Sequence, residues 1–312
     1  MFIANARKGN NTWYLYVAMV AFIFLGYSIG QIPLMAKIYM TLDSDPTLGT
    51  DDLNRILGDL DFGLLGINTN VGFLLLLLMF VAAFLILFFF FPLIHKRPFK
   101  TLITWKESIN WSKVFFGFGI WLALGLALEA IFYVLHSETY TFRFSASQFF
   151  PLLLISLLIL PIQTSMEELF FRGYLLQGIG LLVKNRWIPL IITSILFGLI
   201  HSSNPEIEKF GFWTMQVYYL SAGLLLGVVT LMDDSLELAL GVHAATNFIG
   251  AVIVGYDGAA LQTDSLFKTE TMNATWMTQG FIIAAIIFIL ICKKKYNWGS
   301  FNRLLLPIDQ VA

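Results

Sequence analysis

The sequence has few charged residues and a single cysteine. Aspartate, glutamate, lysine and arginine make up 12% of its 312 residues, whereas 58% are hydrophobic and the mean hydropathy is +0.77. A soluble domain carries about 25% charged residues, so this composition excludes an ordinary soluble globule. The formal net charge of −1 argues against a nucleic-acid partner, which requires a basic surface. Because Cys292 is the one cysteine, no internal disulfide can form. We therefore expect a membrane protein.

Long apolar runs predict an all-α, polytopic membrane helix bundle of about eight transmembrane helices. A spanning helix needs about 20 predominantly apolar residues, and tilt or burial inside a bundle relaxes that number. The first candidate begins too close to Met1, and runs too long, for a cleaved signal peptide, so we expect a retained helix. The candidate spans are residues 13–35, 71–94, 114–135, 149–166, 187–201, 212–232, 236–254 and 279–292.

The chain has no internal repeat of 20–50 residues and no low-complexity tail, which favours a single domain. Within it we distinguish three parts. Residues 1–148 hold the N-terminal transmembrane helices and an acidic loop. Residues 149–254 hold the segments that carry buried polar groups. Residues 255–312 hold the last transmembrane helix and a basic tail.

The distribution of lysine and arginine predicts the orientation, because basic loops stay on the cytoplasmic side of a membrane. Assigning alternate loops to the two sides puts 14 of the 19 basic residues on the side of both termini. Both termini are therefore expected in the cytoplasm, and the lysine-rich tail is typical of a bacterial plasma-membrane protein. The acidic stretch at 41–62 is expected to be a solvated external connector. The five basic residues on the other side are Lys37, Arg55, Arg143, Lys209 and Lys268.

Three charges stand in the otherwise apolar stretch "SMEELFFRGY": Glu167, Glu168 and Arg172. Ionisable side chains at membrane depth cost roughly 2.5–3.5 kcal/mol each and usually face a bundle interior or a cavity. On a helix, Glu168 and Arg172 stand at i and i+4, the favourable orientation for an ion pair. Glu167 lies about 100° around the helix and is left facing elsewhere. The alternative is a glutamate pair solvated at the membrane interface.

Two further segments carry polar groups: "FGLIH" ends with His201, and "HAATN" places His243 and Asn247 on one helical face. Either histidine alone could be a hydrogen-bonded core residue. A turn at 184–186 would fold 163–183 against 187–201 as a hairpin. Glu167 and His201 each lie 17 positions from Lys184, so the hairpin returns them to the same depth. This geometry favours one site over scattered core residues.

These three motifs together resemble the CAAX prenyl protease 2 and bacteriocin-processing (CPBP) group of intramembrane endopeptidases, also called type II CAAX proteases. The family pattern is EExxxR, FxxxH and HxxxN on successive membrane helices. Here the patterns are "EELFFR" from Glu167, "FGLIH" from Phe197 and "HAATN" from His243. Each motif alone is weak, whereas the ordered set is specific. The resemblance covers roughly residues 149–254, about a third of the chain.

The resemblance implies hydrolysis of a peptide bond by water within the membrane, in a membrane-associated protein or peptide substrate. It implies Glu167 as general base, His201 as the residue that orients the water, and His243 with Asn247 as the oxyanion site. Glu168 and Arg172 would be a supporting ion pair, together with Phe197. A partly desolvated carboxylate is a better base, and preorganised donors stabilise developing negative charge. No metal or other cofactor is favoured.

Several alternatives remain at this stage. Glu167, His201 and His243 are a possible ligand set for catalytic zinc, although no HExxH occurs and Asn247 stands where a carboxylate ligand would be expected. A transporter could use the same groups to relay protons, but it predicts inverted repeats that are absent. A family member that no longer cleaves could act by binding, as an immunity or regulatory protein. The substrate is not specified by any motif.

Other polar and small residues have plainer explanations. Glu129 is expected to be a helix-end residue close to water, and His95 an interfacial residue. Gly223 and Gly227 match the small-xxx-small pattern that lets helices approach closely, so we expect packing there.

Overall fold

The computed structural model describes residues 2–58 and 62–308, and within them the chain forms twelve α-helices. They are α1 (Trp13–Ser44), α2 (Thr50–Gly58), α3 (Thr69–His95), α4 (Trp111–Leu135), α5 (Ala146–Leu158), α6 (Leu160–Glu168), α7 (Leu176–Val183), α8 (Trp187–Ile200), α9 (Pro205–Phe210), α10 (Phe212–Asp233), α11 (Glu237–Phe248) and α12 (Ala274–Lys295).

The predicted polytopic helix bundle is confirmed. Six helical segments in the described chain are long and apolar enough to cross a membrane: α1, α3, α4, the continuous stretch Ala146–Val183, α10 and α12. Two shorter apolar segments, Trp187–Ser203 and Glu237–Ile253, pack among them. The protein is therefore an integral membrane protein in contact with the bilayer. The count of eight full spans is not confirmed, because these two segments are shorter than a hydrocarbon core requires.

Several helix boundaries differ from those predicted. Helix α1 continues nine residues beyond position 35, to Ser44, and α12 runs from Ala274 to Lys295 rather than 279–292. Residues 149–166 belong to a longer helical stretch, in which a π-helical segment, Leu169–Leu175, joins α6 to α7. Apolar runs underestimate these lengths because backbone hydrogen bonding continues through polar residues at the membrane surface.

A small sheet was not expected in an all-α protein. Its strands are β1 (Tyr140–Phe142), β2 (Val254–Tyr256) and β3 (Phe267–Thr269), in the order β1-β3-β2. Strand β1 is antiparallel to β3, with Tyr140 opposite Thr269, and β2 is parallel to β3. Short strands of this kind leave no hydrophobic periodicity to detect. The sheet ties together the loops at one end of the bundle.

The acidic stretch 41–62 is more structured than the predicted solvated connector. It contains α2, whose Ile56 is buried in a cluster with Leu34, Ile38, Phe62 and Leu65. The apolar side of a short amphipathic helix covers the end of α1 in this way. Residues 59–61 lie outside the described residues.

The basic segments meet at the opposite end from the sheet. The Asn5 amide donates to the carbonyls of Thr101 and Thr104, each at 3.1 Å. Bridges join Thr104 to Ser235 and Asn185 to Pro307. The N-terminal segment, the 96–110 loop, the predicted turn at 184–186, the turn at 234–236 and the C-terminal segment thus share one end. Arg172, counted above among the loop charges of this side, is instead fully buried within the bundle, so it does not contribute to the orientation.

Two close helix contacts hold the central helices. Helix α11 packs on α4 where Gly241 faces the Val114 carbonyl with no room for a side chain. Helix α10 packs on α8 where a Cβ on Gly223 would lie 3.0 Å from the Ser194 Cα, and Gly227 faces Leu190. The predicted packing role of Gly223 and Gly227 is confirmed, because small residues let backbones approach.

Candidate active site

Two carboxylates are buried at the end of α6. Glu167 is 5% exposed and Glu168 is fully buried. The π-helical segment Leu169–Leu175 begins directly after them, and a second one, Ile249–Ile253, begins just after Asn247. Such segments are rare and occur frequently at functional sites, where they adjust the direction of neighbouring side chains.

Glu168 is held by two cationic or donor partners. The guanidinium of Arg172 donates to Glu168 Oε1 at 2.7 Å, and His243 Nδ1 contacts the same oxygen at 2.8 Å. Arg172 also donates to the carbonyl of Gly223 at 3.0 Å and lies over the Phe197 ring, 4.5 Å from its centroid. The predicted pairing of Glu168 with Arg172 is therefore present. Both side chains are fully buried. Removal of either one would leave the other as an unpaired buried charge, which strongly destabilises a folded protein.

Glu167 faces two imidazoles instead of a counter-ion. Its Oε2 lies 3.7 Å from His243 Nε2 and 4.0 Å from His201 Nε2. That oxygen is buried and accepts no hydrogen bond from the described residues. The two separations are too long for direct hydrogen bonds and short enough for a water molecule to bridge. The carboxylate can thus share a water with either histidine.

The orientation of His201 follows from its neighbours. Its Nδ1 lies 2.6 Å from the carbonyl oxygen of Phe197, which can only accept, so Nδ1 carries the proton. Its Nε2, directed towards Glu167, is then the acceptor of a neutral ring. The ring stacks on Tyr219 with centroids 4.4 Å apart, and the Phe197 ring lies 4.5 Å away on centroids. These contacts fix the imidazole at the end of α8.

Asn247 reaches Glu167 through Gln163. The Asn247 amide donates to Gln163 Oε1 at 2.9 Å, and Gln163 donates in turn to Glu167 Oε1. Helix α11 is placed for this contact by its packing on α4, where Trp121 donates to Thr246 at 2.7 Å. One Glu167 oxygen is therefore occupied by an amide, whereas the other is left to the histidines.

The site opens into a large cavity of about 900 Å³. Glu167, His201, His243 and Asn247 all line it, so the four predicted catalytic residues come together. The cavity continues towards the end of the bundle that carries the sheet, past α9 and β2. A cavity of this size can accommodate several residues of an extended peptide.

The zinc alternative was tested on the side chains themselves. Within residues 2–58 and 62–308, no group of three His, Cys, Asp or Glu side chains is arranged to hold a metal ion. Glu167, His201 and His243 are thus not arranged as a metal site in this structure.

Some participants were missed in the sequence. Gln163 stands one turn before Glu167, a spacing that could have indicated it. Tyr219 has no such signal, because its contact with His201 comes from tertiary packing. Glu129 was expected at a helix end near water, yet it lies inside α4 and lines the cavity. His95 was expected at an interface and is fully buried, bonded to Tyr174 and the Asn10 carbonyl, each at 2.8 Å.

Comparisons with known proteins place the chain in one family. The family model for Rce1-like type II CAAX prenyl endopeptidases matches residues 146–249, which contain all three motifs. The uncharacterized protein YyaK of Bacillus subtilis (strain 168) is 33% identical over 284 residues, covering 90% of this chain and 91% of that protein. No solved structure matches the chain significantly.

Proposed function

The chain belongs to the Rce1-like type II CAAX prenyl endopeptidase family, and we propose that it is an intramembrane endopeptidase in which Glu167 activates the hydrolytic water. The observation that carries this proposal is the placement of Glu167 Oε2, 3.7 Å and 4.0 Å from the Nε2 atoms of two histidines at a cavity wall. A buried carboxylate beside two imidazoles is suited to accept a proton from water.

The reaction begins with water held between Glu167 and His201. One O–H donates to Glu167 Oε2 and the other to His201 Nε2, which leaves an oxygen lone pair directed at the substrate carbonyl. As the water oxygen bonds to that carbon, its proton passes to Glu167. The carbonyl oxygen becomes the oxyanion of a tetrahedral intermediate.

The intermediate is stabilised from the side of α11. Asn247 uses one amide N–H for Gln163, and its second N–H remains for the oxyanion. His243 donates Nδ1–H to Glu168, so its Nε2 can donate to the oxyanion only from a ring that also carries a proton at Nε2. Two fixed donors in a dry site are effective in stabilising an oxyanion.

Collapse of the intermediate completes the reaction. The C–N bond breaks, and the proton held by Glu167 passes to the leaving amine. The products are a carboxyl group and an amine, and Glu167 is again a carboxylate. In this mechanism water attacks the carbonyl carbon directly, so no acyl-enzyme forms.

Two other functions predict different results. A regulatory or immunity protein would keep the same network as structure, so its cellular activity would survive the loss of the Glu167 charge. A transporter would move substrate without cleaving it. The coupled Gln163, Glu167 and Asn247 contacts favour hydrolysis, since they orient one carboxylate and leave its second oxygen available.

The test is cleavage of a panel of membrane-anchored and CAAX-type reporter peptides by the purified protein in detergent or nanodiscs. Wild type is compared with Glu167→Gln, which keeps the shape and removes the base. Glu208→Gln, an exposed change on α9, is the matched control. Each protein is assayed with and without a chelator.

We expect wild type and Glu208→Gln to cleave, and Glu167→Gln to lose at least 1,000-fold in kcat with an unchanged melting temperature. Activity that persists in Glu167→Gln would overturn the mechanism. Activity lost in chelator and restored by zinc would favour the metal-dependent alternative. A folded wild type that cleaves no reporter, whose Glu167→Gln variant retains the cellular phenotype, would favour the regulatory function.

A further inference from the structure

The cavity beyond the catalytic residues is acidic. Besides Glu167, it is lined by Glu129 from α4 and Glu206 from α9. Among the described residues that line it, none is lysine or arginine. Tyr218 lines the same cavity as these two carboxylates. A ligand there meets negative charge without an internal counter-ion.

Glu206 is the more specific of the two acids. It is 5% exposed, and its Oε1 accepts the Ala260 backbone N–H at 2.7 Å and the Tyr256 hydroxyl at 3.3 Å. Its Oε2 is buried and accepts no hydrogen bond from the described residues. Buried polar atoms in native proteins nearly always have partners, and an exception calls for an explanation. A carboxylate in this position destabilises the protein unless something binds to it.

Aromatic side chains connect Glu206 to the catalytic centre. Asn204, two residues before Glu206, donates to the Tyr219 hydroxyl at 3.0 Å, and Tyr219 stacks on His201. Tyr256 contacts Glu206 and packs against Phe210, with centroids 5.9 Å apart. A buried carboxylate with tyrosine side chains beside it is a suitable environment for an ammonium or guanidinium group.

Glu129 adds a further carboxylate to the lining of the cavity. Its Oε2 lies 3.5 Å from the Tyr140 hydroxyl at the start of β1, and Tyr140 itself lines the cavity. The two acids thus belong to different helices, α4 and α9, and line one cavity.

The charges around the cavity mouth agree in sign. The loops at the sheet end of the bundle carry more acidic than basic side chains in the described residues, and a basic ligand would be attracted to this end. Lys268 is already paired with Asp257, and Lys209 donates to the Asp257 carbonyl. The exposed acidic residues at this end include Asp43, Asp51, Glu138, Glu208 and Glu270.

We propose, on the premise of the proteolytic function above, that this cavity selects peptides carrying a lysine or arginine side chain near the scissile bond, with Glu206 as the residue that recognises the cation. The cationic head group binds Glu206 Oε2 and lies against Tyr219 and Tyr256. Glu129 attracts a second positive charge when the peptide has one. Recognition of this positive charge determines which peptide bond of the substrate is placed next to Glu167.

Binding is measured first, so that the test does not depend on cleavage. A fluorescent peptide with a single arginine, and its glutamine and glutamate counterparts, are titrated into the Glu167→Gln protein in nanodiscs of neutral lipid. The same titrations are made with Glu167→Gln/Glu206→Gln and with the matched control Glu167→Gln/Glu208→Gln. The glutamine at 206 keeps an acceptor for Ala260 and Tyr256 and removes only the charge.

We expect the arginine peptide to bind at least tenfold more tightly than the glutamine peptide, and Glu206→Gln to abolish that difference while Glu208→Gln preserves it. In the cleavage-competent background, the same tenfold loss should appear in kcat/KM for the arginine reporter and be absent for the glutamine reporter. Glu206→Lys should invert the preference towards the glutamate peptide.

The outcomes separate the two proposals. Cleavage of the arginine and glutamine reporters with equal kcat/KM by wild type would overturn the cationic selectivity and leave the protease function intact. Arginine-dependent binding without any cleavage would support the Glu206 site and contradict the protease function. Equal binding of all three peptides to both double variants would overturn the role of Glu206.

Discussion

Gln163 donates its side-chain N–H to the carboxylate of Glu167, one helical turn further along α6. The same amide accepts from Asn247 at 2.9 Å, so the general base and the proposed oxyanion donor are joined by one side chain. Glu167 on α6 and Asn247 on α11 are thereby fixed relative to each other. Gln163 is a positioning residue in this arrangement, since it acts through its neighbours.

Replacement of Gln163 by leucine is therefore expected to lower kcat by about 10- to 100-fold with little change in KM, because loss of a positioning hydrogen bond misaligns groups that act in the transition state. Glutamate at this position would add a second buried carboxylate beside Glu167 and should be worse. Steady-state kinetics on a cleaved reporter, with melting temperatures of both variants, measure this. Unchanged kcat in a folded Gln163→Leu protein would contradict the role.

The buried pair of Glu168 and Arg172 predicts strong non-additivity. Arg172→Leu leaves a buried carboxylate without its guanidinium, and Glu168→Gln leaves the guanidinium without its anion, so each single change should destabilise the fold by about 3–5 kcal/mol. The double variant should lose less than the sum of the two. Reversible unfolding in mixed detergent of the four proteins completes the cycle. Additive losses would show that the two charges are not coupled.

The motif residues were predictable because their spacing has direct geometric consequences. The i, i+4 relation of Glu168 and Arg172, and the equal distances of Glu167 and His201 from Lys184, require only helical rise and a turn. The structure has that turn, with α7 ending at Val183 and α8 beginning at Trp187. The assignment of roles to these residues depends on the family resemblance and stays a prediction, as does the division of the chain into three parts.

What was missed depends on contacts between distant segments. Glu206 follows a proline in a short polar helix, where sequence alone indicates a solvated surface, yet Ala260 and Tyr256 cover it. The sheet and α2 were missed for a related reason, since segments of three to nine residues carry too little periodicity. Residues that are buried by contacts between distant loops therefore cannot be recognised from the sequence pattern alone.

The close contact of α10 with α8 predicts that a larger side chain at Gly223 destabilises the protein, and Gly119 provides a control. Valine at Gly223 would place branched carbons against the Ser194 backbone and displace the carbonyl that accepts from Arg172. We expect a loss of about 1–3 kcal/mol in stability and reduced activity, because α8 ends at His201. Gly119 in α4 has open space around it, so Gly119→Ala should be neutral or stabilising by about 0.5–1 kcal/mol. Similar melting temperatures for the two variants would contradict the close contact.

Glu206 also predicts a pH-dependent stability difference. Burial raises the pKa of its carboxyl above the ordinary value of 4.5, even though Ala260 N–H and the tyrosine hydroxyls act against this shift. The charged form is thus disfavoured in the folded state, so wild type loses stability as the pH rises from about 4.5 through the raised pKa. Glu206→Gln cannot ionise and avoids this loss.

The Glu206→Gln variant should accordingly melt at a higher temperature than wild type at pH 8, and the difference should shrink as the pH falls towards 4.5. The groups that face Glu206 are Tyr219 and Tyr256, which stay neutral over this range, and the lysine on its own helix, Lys209, is exposed. Thermal unfolding of both proteins from pH 4.5 to 8 measures the effect. If Glu206→Gln is less stable than wild type at every pH, the Glu206 carboxylate contributes to stability as a hydrogen-bond acceptor and its ionisation does not destabilise the fold.

The orientation inferred from the basic loops can be tested through the single cysteine. Cys292 is fully buried in α12, so Cys292→Ala provides a background for one introduced cysteine at a time. Lys8→Cys and Lys294→Cys lie at the basic end, and Glu208→Cys lies at the sheet end near the cavity mouth. In intact cells, a membrane-impermeant maleimide should label position 208 and not positions 8 and 294, because basic loops remain cytoplasmic.

The cavity would then open to the outer face, and a cationic peptide would reach Glu206 from outside the cell. Labelling of positions 8 and 294 alone would reverse the orientation and require a cytoplasmic source for the substrate.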